Sequence, residues 1–469
     1  MKNLIILLFL MILAGCSKYS DDDDTDSSSD GDSDGDGDSD ADGDGDGDTD
    51  GDTDTDTGGW QYEGPNQAGI ASADLTCNGL DYVIACAPNA PSPCIPDSGK
   101  ILCDLVISDD SGTEHYNGVV GIERWGRSAD KYAKPNYDME FRLADGVTEN
   151  PMPCLGMGRE EDWYLDGSWT DRSFMRSDIV HDIFQELGGT DHPAADSRFL
   201  ELTVNGESRG IYRLMEKLKR DDDRIDMEKD DGTGVNFILK QDDDGVIDVS
   251  IGSDVTQWVT IYPSDDSVTS IQSAAIAEWL NQLAAGLAAG IASDYLNIDN
   301  VLDWVLLNEF AKNIRTFSMS MYLFKTQGEL ANLVPWDVDM SLGQPALTGT
   351  GGFTNESPEG WVPHNSLVAN LLKDDAFSSA LAPRWAELRE GPLSDAALTT
   401  RIDDYLITLS DSAISNNYAV FPLAEVDLSV VNSSYGTPTR TDFAAEIAAL
   451  RGWITARLAW IDANINSYE

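Results

Sequence analysis

The chain has 469 residues, of which 84 are acidic and 30 basic, giving a net charge of −54. Such a balance repels nucleic acid and anionic lipid at moderate salt, so neither is expected as a partner. The length permits a large core, but the first 59 residues do not contribute to it.

Lys2 precedes an apolar run from Leu4 to Leu13, followed by Ala14-Gly15-Cys16. The run is too short to span a bilayer, and small residues before a cysteine are the pattern of a lipoprotein signal peptide. Residues 1–16 are therefore expected to be such a peptide, with Cys16 carrying lipid. That predicts a lipid-anchored protein of the cell envelope, and Ser17 after the cysteine points to the outer membrane or cell surface. Residues 17–59 read as a tether, because nineteen Asp fall between Ser20 and Thr57 and nearly all the rest is Gly, Ser or Thr. Like charges two residues apart keep such a segment solvated and disordered. As a flexible coil it reaches roughly 35 Å. Its Asp-Gly repeats mimic the start of a Ca²⁺ loop but lack the bidentate Glu and flanking helices that complete one.

The globular part is expected over 60–469 and opens with a cysteine-containing region, 60–105. Cys77, Cys86, Cys94 and Cys103 lie close together in a Pro-rich stretch, which fits disulfide staples in an exported protein. Three pairings of these four are open, and Cys154 is left over. Alternation and β-branched content predict strands at 101–107, 116–124, 137–143, 198–204 and 210–216. Asn205-Gly206 marks a hairpin between the last two. A helix is predicted over 171–187, with Asp171 as its cap and Gly188-Gly189 as its stop. Apolar residues at three- and four-residue spacing then predict helices at 271–289, 299–313, 366–372, 376–389, 394–415 and 440–466. A strand-rich half followed by a helical half reads as α+β.

Within the helical half, 319–325 and 328–334 read as two strands joined by Gln327-Gly328, running into Pro335-Trp336-Asp337-Val338-Asp339. Alternation separates Asp337 and Asp339 from Val338. Two carboxylates on one side suit a hard cation such as Mg²⁺. Like charges also pack badly together unless a cation or donor separates them. Trp336 reads as core filling.

Five landmarks in order resemble the CotH family of atypical kinases, named for a spore-coat protein. They are Gly126-Arg-Ser-Ala with Lys134-Pro-Asn-Tyr137; Asp162-Trp163-Tyr-Leu with Asp171-Arg-Ser-Phe-Met-Arg176; the hairpin Asn205-Gly-Glu-Ser-Arg-Gly-Ile-Tyr212-Arg-Leu-Met-Glu216; Pro335-Trp-Asp-Val-Asp339; and Asn365-Ser-Leu-Val with Arg384-Trp-Ala-Glu-Leu. The resemblance implies an atypical protein-kinase-like fold and phosphorylation of a protein substrate on serine, with ATP and Mg²⁺ or Mn²⁺. It gives Asp337 and Asp339 the metal and catalytic roles. Lys134 and Glu216 would form the ion pair that positions phosphates, and Arg176 is a further phosphate ligand. The chain departs from the family in one segment. The family pattern Asn-x-Asp-x-x-x-x-Asn falls on Asn313 to Ser320, where Arg315 replaces the Asp and Ser320 the Asn. An Arg accepts no proton near neutral pH, and a hydroxyl is a poorer cation ligand than an amide oxygen. These departures predict weak activity or a pseudokinase, unless another carboxylate such as Glu309 stands in. The alternative expectation is a non-catalytic envelope scaffold or adhesion lipoprotein that binds an envelope partner.

Overall fold

Strand β1 (Ala71–Thr76) buries Ala71, Ala73 and Leu75 while exposing the residues between them, and β2 (Ile101–Ser108) turns Cys103, Leu105 and Ile107 the same way. This period of two is what a strand needs to close one face over a core. The computed structural model describes residues 67–77, 95, 99–126, 132–242, 245–264, 266–313, 317, 321–344, 356–423, 440 and 442–468. The signal peptide, Cys16, the tether, Cys86, Cys94, Arg315 and Ser320 lie outside them.

With β3 (Glu114–Trp125), β4 (Asn136–Arg142), β7 (Asp162–Asp166), β8 (Ser197–Val204) and β9 (Glu207–Glu216), the first two strands close a seven-stranded barrel in the order β1-β2-β3-β4-β7-β9-β8. The closing pair, β1 with β8, is parallel, and the other pairs are antiparallel. Leu75, Leu105, Val120, Phe141, Trp163, Leu202 and Leu214 fill the interior. Short strands β5 (Met152–Cys154) and β6 (Met157–Glu160) form a separate ribbon.

The second sheet has five strands in the order β11 (Ile247–Ile251), β12 (Asp254–Tyr262), β10 (Phe237–Gln241), β13 (Tyr322–Lys325) and β14 (Asn332–Val334). It takes strands from both halves of the chain, so the change from strand to helix along the sequence is not a boundary in space. Helix α1 (Arg176–Gly188) lies in sequence between the barrel strands β7 and β8. Helix α2 (Ser270–Ala289) starts at a capping box of Thr269 and Gln272 and stops at Gly290, whose φ is +72°. Helix α3 (Ile298–Ala311) is buried from Asn300 to Ala311, without the polar face of a surface helix. Around it pack α1, α5 (Asp375–Glu390) and α8 (Phe443–Asn464), with α4 (Ser366–Leu371) against α2. Among the described residues no helix is long and apolar enough to cross a membrane.

The α+β reading holds, and three local expectations are corrected. The helix expected from Asp171 begins at Arg176, because Asp171 instead accepts the Ser173 and Arg176 backbone N–H groups from five residues upstream of the helix. The single helix expected over 394–415 is two, α6 (Asp395–Leu409) and α7 (Asp411–Val420), broken where Ser410 adopts a φ of +56°. Residues 327–329 turn and Ala331 forms an isolated bridge to Leu296, so β14 is shorter than expected.

Cys77, just after β1, is bonded to Cys103 in β2, and Cys154 is free, buried and pushed up to about 12 by desolvation, which makes it unreactive. The bond spans 26 positions. In the chain-entropy view a loop of that size contributes roughly 3–4 kcal/mol. Reduction, or Cys77→Ala with Cys103→Ala, should therefore lower the melting temperature; an unchanged calorimetric melt under reductant would show that the barrel does not need the staple.

Candidate functional site

Three pieces of backbone meet after β14. The segment Pro335 to Gln344 leaves the five-stranded sheet and is tied to the end of α3 by Leu342 N–H donating to Ala311 O at 2.8 Å. The Asn313 side-chain amide reaches Asp337 O at 3.5 Å. The stretch before α1 and the first residue of that helix hold it from the other side: Thr170 Oγ1 donates to Asp339 Oδ2, and Arg176 Nε to Leu342 O at 3.4 Å.

Within this frame Trp336 and Val338 are buried, while Asp337 and Asp339 are half-buried. The alternation expected from sequence is thus present just beyond the strand end. Asp337 has a φ of +56°, a conformation that Asp tolerates better than most residues but that costs backbone energy. Strain held by packing on both sides is typical of functional loops. Further along the same loop Ser341 Oγ and both amide atoms of Gln344 are buried without a hydrogen-bond partner. A buried polar atom left unpaired costs about 1–3 kcal/mol. Those observations fit a hard cation with oxygen ligands.

Trp336 is 5% exposed and packs among Tyr164, Tyr322 and His181, as expected for core filling. Glu309 lies on α3, 1% exposed, accepting from Val362 N, Arg457 Nη2 and Tyr468 OH at 3.0, 3.1 and 3.0 Å. It is a structural anchor, so it does not stand in for the carboxylate that Arg315 replaces.

Lys134 and Glu216 are not brought together. The Lys134 ammonium donates to Ile211 O and, at 2.9 Å, to Asn417 Oδ1, inside a box of the Phe174, Tyr212 and Phe421 rings. Glu216 lies five residues further along β9, roughly 16 Å at the rise of a strand. Its carboxylate accepts from Asp196 N at 3.3 Å and pairs with Arg224 at 3.8 Å. Burial, with Asp196 beside it, pushes Glu216 up to about 7. The expected Lys/Glu pair is corrected on this geometry: each side chain has its own partners on a different part of the barrel. Arg176 is likewise enclosed, donating to Asp171 at 2.6 Å and Glu446 at 2.8 Å. It braces the loop through Leu342 O rather than reaching outward.

Burial depresses Lys134 to about 7, with Asp166 opposing the shift. The unfolded chain binds this proton up to its ordinary pKa near 10.5, whereas the folded chain has released it above about 7. The penalty for a buried ammonium is therefore full below pH 7 and fades as pH rises from 7 towards 10.5, at about 1.4 kcal/mol per unit. Lys134→Met should flatten that part of the stability profile; denaturant midpoints measured across this range would show it, and an equal slope in both proteins would refute it.

Sequence reasoning missed Thr170 and the Asn313 contact. Thr170 directly precedes Asp171, which was singled out, but only the fold places its hydroxyl on Asp339.

Over residues 122–461 the chain matches the family described as CotH kinase protein. No curated protein matches it.

Proposed function

The chain belongs to the CotH kinase family, and we propose that it is a weak phosphotransferase that uses ATP with Mg²⁺ or Mn²⁺ to phosphorylate serines of a protein substrate, its activity held down by Arg315 and Ser320 where the family has Asp and Asn. The supporting observation is the half-buried Asp337/Asp339 pair on a strained loop braced by Thr170, Asn313 and Arg176. A divalent ion there would neutralise charge on the transferring phosphoryl group. Asp337 and Asp339 would supply the anionic oxygens that hold it. Thr170 fixes the rotamer of Asp339, and the Asn313 amide fixes the backbone at Asp337. The kinase-like fold, the lipid anchor at Cys16 and an address at the outer membrane or cell surface are part of the same proposal, with a membrane reached through lipid and a tether.

The internal engagement of Lys134 and Arg176 favours a second reading, in which the fold is a non-catalytic envelope scaffold. The two separate on nucleotide binding. Under the kinase reading, ATP with Mn²⁺ raises the melting temperature of the full chain, by about 2.7 kcal/mol of stability at one hundred times the dissociation constant. No rise at millimolar ATP and Mn²⁺ would leave the scaffold.

A further inference from the structure

The two edges of the five-stranded sheet are finished differently. At β14 the Asn300 side chain closes the edge: its Oδ1 accepts from Leu333 N–H at 2.7 Å, and its Nδ2 donates to Leu333 O at 3.1 Å. At the other edge β11 pairs with β12 and, among the described residues, with no further strand.

The register tells which backbone groups β11 leaves over. Ile251 and Asp254 close a two-residue turn, after which Val249 lies opposite Thr256 and Ile247 opposite Trp258. The closing residues of such a hairpin exchange hydrogen bonds, and bonded pairs recur at every second position. Strand β12 agrees, because Gln257 O faces the opposite way and accepts Asp242 N–H at 3.0 Å. Asp248 and Ser250 therefore turn their N–H and C=O groups out of the sheet. Both side chains are exposed, and Val246 just before the strand and Val255 opposite Ser250 are 72% and 67% exposed, so this rim is open to solvent. Proteins ordinarily blunt or cover such an edge, since it is a template for another strand.

Charge decides what the edge would accept. The tether, with nineteen Asp between Ser20 and Thr57, is repelled by Asp248 and by the Asp242-Asp243-Asp244 run before the strand. A second copy is disfavoured too: antiparallel pairing that uses Val246, Asp248 and Ser250 of both chains sets Asp248 directly against its counterpart, between chains of net charge −54. On the opposite face Ile247, Val249 and Ile251 are buried where α2 packs on β11, so a strand laid alongside carries every second side chain past an apolar row.

We propose that the β11 edge is a docking site for an extended segment of a partner protein, with Lys or Arg alternating with apolar residues, added as a sixth strand. The outward backbone groups of Asp248 and Ser250 hold it and the Asp248 carboxylate selects its charge. The site does not rest on the phosphotransferase reading.

The test is amide hydrogen exchange of the full chain, resolved by residue, with and without a short peptide of alternating Val and Lys. In the free protein Asp248 and Ser250 should exchange fast while Ile247, Val249 and Ile251 are protected; the peptide should slow Asp248 and Ser250 by at least about tenfold. A peptide with Glu in place of Lys should have no effect. Ser250→Pro removes an N–H that faces outward, a change an edge strand tolerates, so it should keep the fold and lose the response. If that variant does not fold, Asp248→Lys should reverse the preference to the Glu peptide. An unchanged exchange with the Lys peptide overturns the proposal, as does an equal response in wild type and Ser250→Pro or, in its place, an unreversed preference in Asp248→Lys. Asp248 and Ser250 already protected in the free chain would overturn it as well; protection that grows with protein concentration would name a second copy as the occupant.

Discussion

Asp339→Asn and Asp337→Asn should each lower phosphoryl transfer by more than about 10³-fold, with little change in the melting temperature. The two carboxylates supply the charge that would hold a divalent ion against phosphate, and phosphoryl transfer depends almost wholly on such electrostatic positioning. Both are half-buried, and the bonds from Leu342 N–H to Ala311 O and from Arg176 Nε to Leu342 O hold the segment without either carboxylate. Asp337→Gly sharpens the point. Glycine adopts a φ of +56° without strain, so this variant should be at least as stable as wild type, by up to about 1 kcal/mol, yet inactive. Thr170→Val should have a smaller effect, about 10–100-fold, because it frees the rotamer of a ligand without removing it. Transfer of labelled phosphate to a generic basic protein, read beside a melting curve, checks all four. Full activity in Asp339→Asn would take the loop out of the chemistry.

The largest stability effect is expected at Arg176. Its guanidinium pairs with Asp171 and Glu446, all three nearly inaccessible to water. Removing one member of a buried set leaves the others charged and unpaired, at about 3–5 kcal/mol. Arg176→Met should therefore destabilise by that amount, and it should also loosen the Asp337/Asp339 loop through the lost bond to Leu342 O. The same network predicts acid sensitivity. Burial alone would raise the Glu446 carboxyl, but Arg176 and Arg440 outweigh it and hold the group at about 2. A depressed carboxylate contributes stability above its unfolded value and loses it as pH falls through the folded one. Between about pH 5 and pH 2 this group should account for about 3 kcal/mol. Glu446→Gln should be less stable at pH 7 and show a shallower decline; parallel declines in denaturant midpoints would assign acid sensitivity to other groups.

The elements that were legible share one property: a single periodicity over enough residues. Five barrel strands and the helices around α3 meet that condition. Strands β1, β11 and β12 were missed although they alternate, because Asp, Ser and Thr interrupt their apolar residues, whereas β10 and three others fail the condition. Strand β7 has five residues with Trp163, Tyr164 and Leu165 all buried, so no alternation shows, and β5 and β6 have three and four. Ser410 breaks the α6/α7 run because it adopts a positive φ that no glycine or proline announced. At the site, Asp337 and Asp339 were readable because charge at a strand end is costly. Lys134 and Arg176 were harder. Sequence shows a basic residue but not its surroundings, and only the fold reveals an aromatic box about one and two carboxylates about the other. The disulfide was narrowed to three pairings, and strand pairing of β1 with β2 brings Cys77 to Cys103.

Nucleotide-dependent Mn²⁺ uptake by the full chain, read by electron paramagnetic resonance with and without a non-hydrolysable ATP analogue, is the most direct measurement. Taking the difference with nucleotide removes ions held by the tether or by other carboxylates. If Asp337 and Asp339 hold the metal against the phosphates, wild type should take up additional Mn²⁺ only with the analogue, and Asp337→Asn with Asp339→Asn should lose that increment. An increment of equal size in the double variant, or none in wild type, would contradict it.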